Sequence, residues 1–399
     1  MDSQYSPFMY VSRAIANRLQ SFSWISELFE LGARLKRERG AEHVFDFMLG
    51  NPEVAPPAQV LEAARQVLSD PTPGRHAYMS NAGFKEVRDV VAQRLARATG
   101  LPYTGSHVVM TSGAGGALNA LFRAILDPGD EVITPIPCFI DYHFYVENYG
   151  GRLVTVGTRP GFLPDIEAIR AAVTPRTKAI LVNSPNNPTG VVYGPEVFQA
   201  LEQLLLSLDR PVLLISDEPY KAMTFDGRVA PEVPSLVTRA VVVTSCSKVL
   251  ALPGERIGYL AVSPRLPEAA QLVQACTFTN RVLGFVNAPA IWQWAVAAVD
   301  VSVDMSRYQE KRDVLHAGLT RLGYRCARSE GTFYLFPESP LPDDRRFVRM
   351  LAQEGILAMA GSDFGAPGYF RLSLTVPRDS LERSLPAFER ALQRAASGG

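Results

Sequence analysis

The stretch AVVVTSCSKVLALPGERIGYL (240–260) decides the architecture. Its β-branched run gives out at small polar residues and a lysine, and a second apolar run starts at Tyr259. An unbroken apolar run is what a strand covered on both faces requires, whereas strict alternation marks a sheet with one wet face. Working outward, the same kind of run recurs in HVVMTSG (107–113), EVITPIP (131–137), RLVTVG (152–157), KAILVNSP (178–185), PVLLISDEP (211–219) and YLAVS (259–263), with helical or turn segments between. This alternation predicts an α/β fold with a mostly parallel sheet wrapped by helices. Ligands of such sheets collect beyond the carboxyl ends of the strands. That rule singles out TSGAGG (111–116), NSPNNPTG (183–190), SDEPY (216–220) and SCSK (245–248), each at the point where a strand ends.

Beyond about residue 300 the pattern changes. A long helix through SRYQEKRDVLHAGLTRL (306–322) is followed by YRCAR (324–328), TFYLFPE (332–338), a helix near FVRMLAQEG (347–355), a strand-like YFRLSLT (369–375) and a terminal helix. This reads as a smaller α+β domain. The amphipathic N-terminal stretch through ARLKRERG (33–40) is expected to pack on it or to reach a neighbouring subunit. The expected division is 1–45 as an arm and part of the small domain, 46–295 as the large domain and 296–399 as the small C-terminal domain.

Composition narrows the partners. Lys+Arg and Asp+Glu both total 40, so no net field gathers nucleic acid or an anionic membrane, and a small molecule is expected. Cys138, Cys246, Cys276 and Cys326 lie far apart without CxxC pairing, which argues against a zinc site or a disulfide framework. The first twenty residues lack a basic segment followed by an apolar core, so a cytoplasmic location is expected. The apolar stretch from Phe285 to Val303 is interrupted by Asn287, Pro289, Gln293 and Asp300 and reads as a buried or interface helix.

Only six lysines occur, and most of them, Lys311 among them, stand in charged helical contexts that read as solvated. Lys248 differs, because it follows an apolar strand between Ser247 and VLALPG. A partly desolvated amine there loses its proton more readily and attacks a carbonyl; alone, it reads rather as a strand-end lysine reaching solvent. Asp217 closes an apolar strand, where a buried carboxylate needs a cationic partner; an ion pair or a turn cap answers that need too. Tyr220 stands three residues on. In NSPNNPTG two prolines stiffen the turn and Asn187 is held at a strand end with an amide to offer. The amides of Gly113, Ala114 and Gly115 form a candidate anion nest at a helix start, with Ser245, Ser247 and Arg256 as further donors. Phe139 is a candidate stacking ring or a core aromatic. Arg371, at the centre of a strand, calls for an anion, either a ligand carboxylate or a structural partner.

Taken together and in this order, FMLGNP (47–52), YMSNAGFKEVR (78–88), TSGAGGAL, NSPNNPTG, SDEPY, SCSKVLALPGERIGYL and YFRLSLT resemble the class I/II aminotransferases of the fold type I pyridoxal phosphate (PLP) enzymes, from about Phe45 to the C-terminus. The resemblance implies PLP bound as an imine on Lys248, with Asp217 on the ring nitrogen, Asn187 and Tyr220 on the phenolate oxygen and Phe139 stacked on the ring. It implies that Gly113, Ala114, Gly115, Ser245, Ser247 and Arg256 bind the phosphate, with Tyr78 reaching it from a partner subunit. Arg371, helped by Gly50 and Asn187, would take the substrate carboxylate. The implied assembly is a homodimer with shared active sites.

Two departures bear on specificity. Phe139 stands where many members have tyrosine or tryptophan, and Gly115 stands where some dicarboxylate-specific members have lysine. Arg281, in TFTNRVLG (277–284), is a loose candidate for a second carboxylate and is otherwise structural. The expected reaction is transamination between an amino acid and a 2-oxo acid, the alternative being a specialised PLP-dependent lyase or cyclase on the same cofactor site. A coenzyme-sensing regulator is disfavoured, since no basic helix-turn-helix segment accompanies the domain.

Overall fold

The computed structural model describes residues 10–397, with backbone alone over 20–26; residues 1–9 of the expected arm lie outside the described residues. The seven apolar runs become the seven strands of one sheet: β1 (Val108–Thr111), β2 (Glu131–Pro135), β3 (Arg152–Val156), β4 (Thr177–Asn183), β5 (Leu213–Asp217), β6 (Ala240–Ser245) and β7 (Gly258–Val262). Their order across the sheet is β1-β7-β6-β5-β4-β2-β3. The pairs from β6 to β3 are parallel, and only β7 runs against both of its neighbours. The cause is the β6–β7 connection. It turns back at the strand end through the short helix Cys246–Val249 and the 3-10 turn Pro253–Glu255, and does not cross over the sheet.

Both faces of the sheet are dry, as the unbroken apolar runs require. Val132, Leu181 and Ile215 pack into one core with the helix Gly113–Ile125, and their chain neighbours Ile133, Ile180 and Leu214 enter another core with the helix Pro195–Ser207. A strand with a polar face could not occupy this position.

A third core holds the second body. It gathers Phe47, Phe333, Phe347, Phe370 and Phe388, with Leu28 and Leu35 of the helix Arg13–Arg39 joining it. The short strand Phe45–Asp46 pairs in parallel with Ile356–Leu357, so the chain leaves the N-terminal helix through this body before building the sheet. Strand Phe370–Ser373 lies between Tyr334–Leu335 and Met359–Ala360 and carries Arg371. YRCAR forms no strand; Tyr324 is instead buried as a ring against Phe347, Phe370 and Phe388. Within Phe285–Val303 only Ala290–Ala297 is helical, and it packs on the helix Ala58–Ser69. Among the described residues no helix is long and apolar enough to cross a membrane.

Candidate active site

The carboxyl ends of β1, β4, β5 and β6 open on one cleft with a cavity of about 370 Å³, and the second body closes it from above with Arg371 and Tyr334. Gly50, Ala114, Gly115, Phe139, Asn187, Asp217, Tyr220, Ser245, Ser247, Lys248, Arg256 and Arg371 all line it. Gly113 lies behind the wall, against the Arg256 guanidinium. Its φ is +68°, and a Cβ there would stand 2.6 Å from Arg256 Nη2. Only glycine meets both demands.

Lys248 sits on the first turn after β6. Its Nζ donates to the Gly50 carbonyl at 2.5 Å and lies 5.4 Å from the centre of the Phe333 ring. Burial pushes its pKa down to about 8, and the nearby cations Arg371 and Arg256 push the same way. The amine therefore sheds its proton far more readily than an exposed lysine.

Asp217 ends β5 and is 5% exposed. Tyr142 Oη donates to its Oδ2 at 2.5 Å, while Oδ1 is buried with no hydrogen-bond partner. Burial drives its pKa up to about 7, against the lowering effect of the Tyr142 hydrogen bond. An orphaned carboxylate oxygen is costly in a folded chain. A cation arriving in the cleft would relieve that cost and return the acid to its charged form.

Arg371 is buried without any ion pair among the described residues. Nη1 donates to Asn187 Oδ1 at 3.0 Å, Nη2 donates to the Met48 carbonyl at 2.7 Å, and Nε is unpartnered. The rings of Tyr334 and Phe364 flank the guanidinium at 4.3 and 4.7 Å. Because arginine only donates, the bond to Asn187 fixes that amide with its oxygen toward Arg371 and its NH2 free. The Gly50 carbonyl is taken by Lys248, so Met48 supplies the backbone acceptor to Arg371.

At the other end of the cleft Ser245 Oγ and Ser247 Oγ lie 2.6 Å apart, and Arg256 Nη1 reaches Ser247 Oγ at 3.3 Å. They face the first turn of Gly113–Ile125, where the amides of Gly113, Ala114 and Gly115 precede the first intrahelical bond, made by Gly116 to the Ser112 carbonyl. This end gathers the kind of donors that an anion could accept from.

Two predicted residues stand elsewhere. Tyr78 is 92% exposed and lines a separate surface hollow with Phe285 and Asn287. Arg281, at the end of the helix Ala269–Val282, is exposed and does not line this chain's cleft. Tyr220 Oη lies 3.3 Å from Tyr334 Oη. Lys311, read from the sequence as solvated, is instead 4% exposed. Its amine is ion-paired with Glu53 and donates to the Val376 carbonyl, which makes a buried position tolerable.

Sequence reasoning missed Tyr142, Tyr334 and Asn183. Asn183 donates from Nδ2 to the Asp217 carbonyl at 2.9 Å and accepts the Asn187 amide at 2.7 Å, tying the ends of β4 and β5 together. Its position as the first residue of NSPNNPTG was the one local signal available.

Comparison with known proteins points the same way. The family model for aminotransferase class I and II matches residues 42–388. The aspartate/prephenate aminotransferase of Thermus thermophilus is 36% identical over 395 residues, covering 96% of this chain and 100% of that protein. The aspartate aminotransferase of Geobacillus stearothermophilus is 30% identical, covering 96% and 100%. Among solved structures, an amino transferase from Eubacterium rectale superposes with a TM-score of 0.93 at 34% identity, over 97% of this chain and 100% of that one.

Proposed function

The chain belongs to the class I and II aminotransferases, and we propose that Lys248 is the residue on which it carries pyridoxal phosphate. It is an aminotransferase that moves an amino group between an amino acid and a 2-oxo acid. The observation that carries the residue assignment is the buried, unpartnered Oδ1 of Asp217, which needs a cation and faces the cleft that also holds Lys248. A protonated pyridine nitrogen meets that need. The two serines, Arg256 and the helix start at Gly113–Gly115 suit a phosphate in charge and in donor count.

Bound there, the coenzyme supplies an electron-poor ring that accepts negative charge from the amino acid's Cα. The chain does the rest. Asp217 would keep the ring nitrogen protonated, and Asn187 Nδ2 with Tyr220 Oη would donate to the ring's phenolate oxygen. Phe139, which lines the cleft, would pack on the ring face. Arg371 has five N–H donors and spends two on Asn187 and Met48, which leaves enough for a bidentate grip on the substrate α-carboxylate. Lys248, with its lowered pKa, takes the proton from Cα as general base. The Gly50 carbonyl holds the free amine within the cleft between these tasks.

The active unit is a homodimer in which Tyr78 reaches the phosphate of the partner's site. Its 92% exposure, in a surface hollow lined also by Phe285 and Val286, supports this reading. The four free cysteines support a reducing, cytoplasmic location. The names of the relatives make aspartate the first donor to try.

The test uses the purified protein loaded with PLP. Borohydride reduction followed by peptide mapping is expected to find the pyridoxyl group on Lys248. One equivalent of amino acid, with no acceptor present, is expected to give stoichiometric 2-oxo acid and the aminated coenzyme. A label on another residue, or an eliminated or cyclised product with the starting spectrum regained, overturns the reading.

A further inference from the structure

Tyr145 lines the same cleft and has no part in the scheme above. It sits on the short helix Tyr142–Glu147, one turn from Tyr142. Facing it, the first turn of the helix Gly113–Ile125 reads Gly-Ala-Gly-Gly, which offers backbone amides to an anion but no side-chain donor.

A Cβ placed on Gly115 would lie 3.0 Å from the Tyr145 hydroxyl and 3.6 Å from its Cζ. The phenol oxygen therefore stands beside the space that a serine or threonine side chain at 115 would enter. Its donor is almost free, because the nearest acceptor is Asp141 Oδ2 at 3.5 Å, the outer limit of a hydrogen bond. Burial, with the carboxylates of Asp141 and Asp217, holds the phenol pKa above its ordinary value, so the group remains a neutral donor.

We propose that Tyr145 is a phosphate-binding residue, its hydroxyl supplying from across the cleft the side-chain donor that Gly115 lacks. The inference rests on the reading that PLP occupies this cleft with its phosphate on Ala114, Gly115, Ser247 and Arg256. A hydrogen bond to a charged oxygen is worth more than one between neutral groups, and its loss is read directly as weaker binding.

The experiment is coenzyme titration of the apoprotein, followed by absorbance, with the wild type beside Tyr145→Phe. PLP is expected to bind about tenfold more weakly to the variant. Pyridoxal, which has no phosphate, is expected to bind both proteins alike. Gly115→Ser in the Tyr145→Phe background is expected to recover most of the loss, since a Cβ at 115 meets only the ring carbon, at 3.6 Å. Equal PLP affinity in both proteins overturns the proposal. So does an equal loss for PLP and pyridoxal, which would mark Tyr145 as packing only. If the wild type itself takes no PLP on Lys248, the functional reading fails first and this inference falls with it.

Discussion

Two pairs of cations, three of them buried and Lys248 half-buried, occupy this molecule, and they are treated differently. On the helix Ser306–Leu322, Arg312 is fully buried yet forks onto Asp226 at 2.6 and 3.0 Å, reaches Asp313 at 2.8 Å and donates to the Ser329 carbonyl. Its neighbour Lys311 has Glu53 and two carbonyls. In the cleft, Arg371 has only neutral acceptors and Lys248 only the Gly50 carbonyl. A buried charge whose counter-charge is built in belongs to the structure. A buried charge left without one is open to a ligand's counter-charge, and the chain holds it at a cost in stability.

The comparison has consequences that can break it. The largest effect is expected at Asp217, the anionic counterpart of the unpaired cations. Asp217→Asn keeps the shape and the Tyr142 contact but removes the charge. Transamination should fall by roughly 10³-fold, while the thermal midpoint of the apoprotein holds or rises because one buried charge is gone. A lower midpoint would mean that Asp217 is a structural acid.

Next comes Arg312→Leu, which leaves Asp226 and Asp313 with only the half-exposed Arg328 as a cationic partner. Breaking a buried pair costs about 3–5 kcal/mol, and the half-exposed acids put this one near the lower end. Denaturant unfolding reads the loss. Arg371→Leu should differ in kind. Its stability should change by no more than about 1 kcal/mol, whereas kcat/KM for the amino acid falls by about 10–100-fold. Similar stability losses in the two variants would erase the distinction.

The smallest effect concerns Lys248 and pH. Its folded pKa of about 8 lies below the ordinary 10.5. Below pH 8 both states hold the proton and the folded apoprotein bears the full desolvation penalty. Between about 8 and 10.5 the unfolded chain keeps a proton that the folded one has shed, so stability rises with pH. Burial also lowers the Lys311 pKa to about 8, so Lys248→Met should reduce that slope in apoprotein melts and leave the part that Lys311 contributes; a slope left undiminished would place the whole effect at Lys311.

Much of the site was legible in the chain because it lies where apolar runs stop. Lys248, Asp217, Asn187 and the Gly113 turn each follow a strand within a few residues, so a local pattern and one rule about strand ends suffice. Other members were not. Tyr142 meets Asp217 across 75 residues, and Gly50 meets Lys248 across 198. Lys311 read as solvated because its neighbours Glu310, Arg312 and Asp313 are charged, yet two of these four residues face the core.

By itself, then, the order of apolar runs determined the sheet, and the residues that end those runs determined which side chains share its upper edge. That information is local, since a strand's burial is written in its own side chains. Which buried charges are neutralised and which stand open was decided only by the tertiary structure. Neutralisation depends on partners brought from distant segments to within hydrogen-bond reach, and Asp226, which meets Arg312 across 86 residues, leaves no mark in the sequence around that arginine.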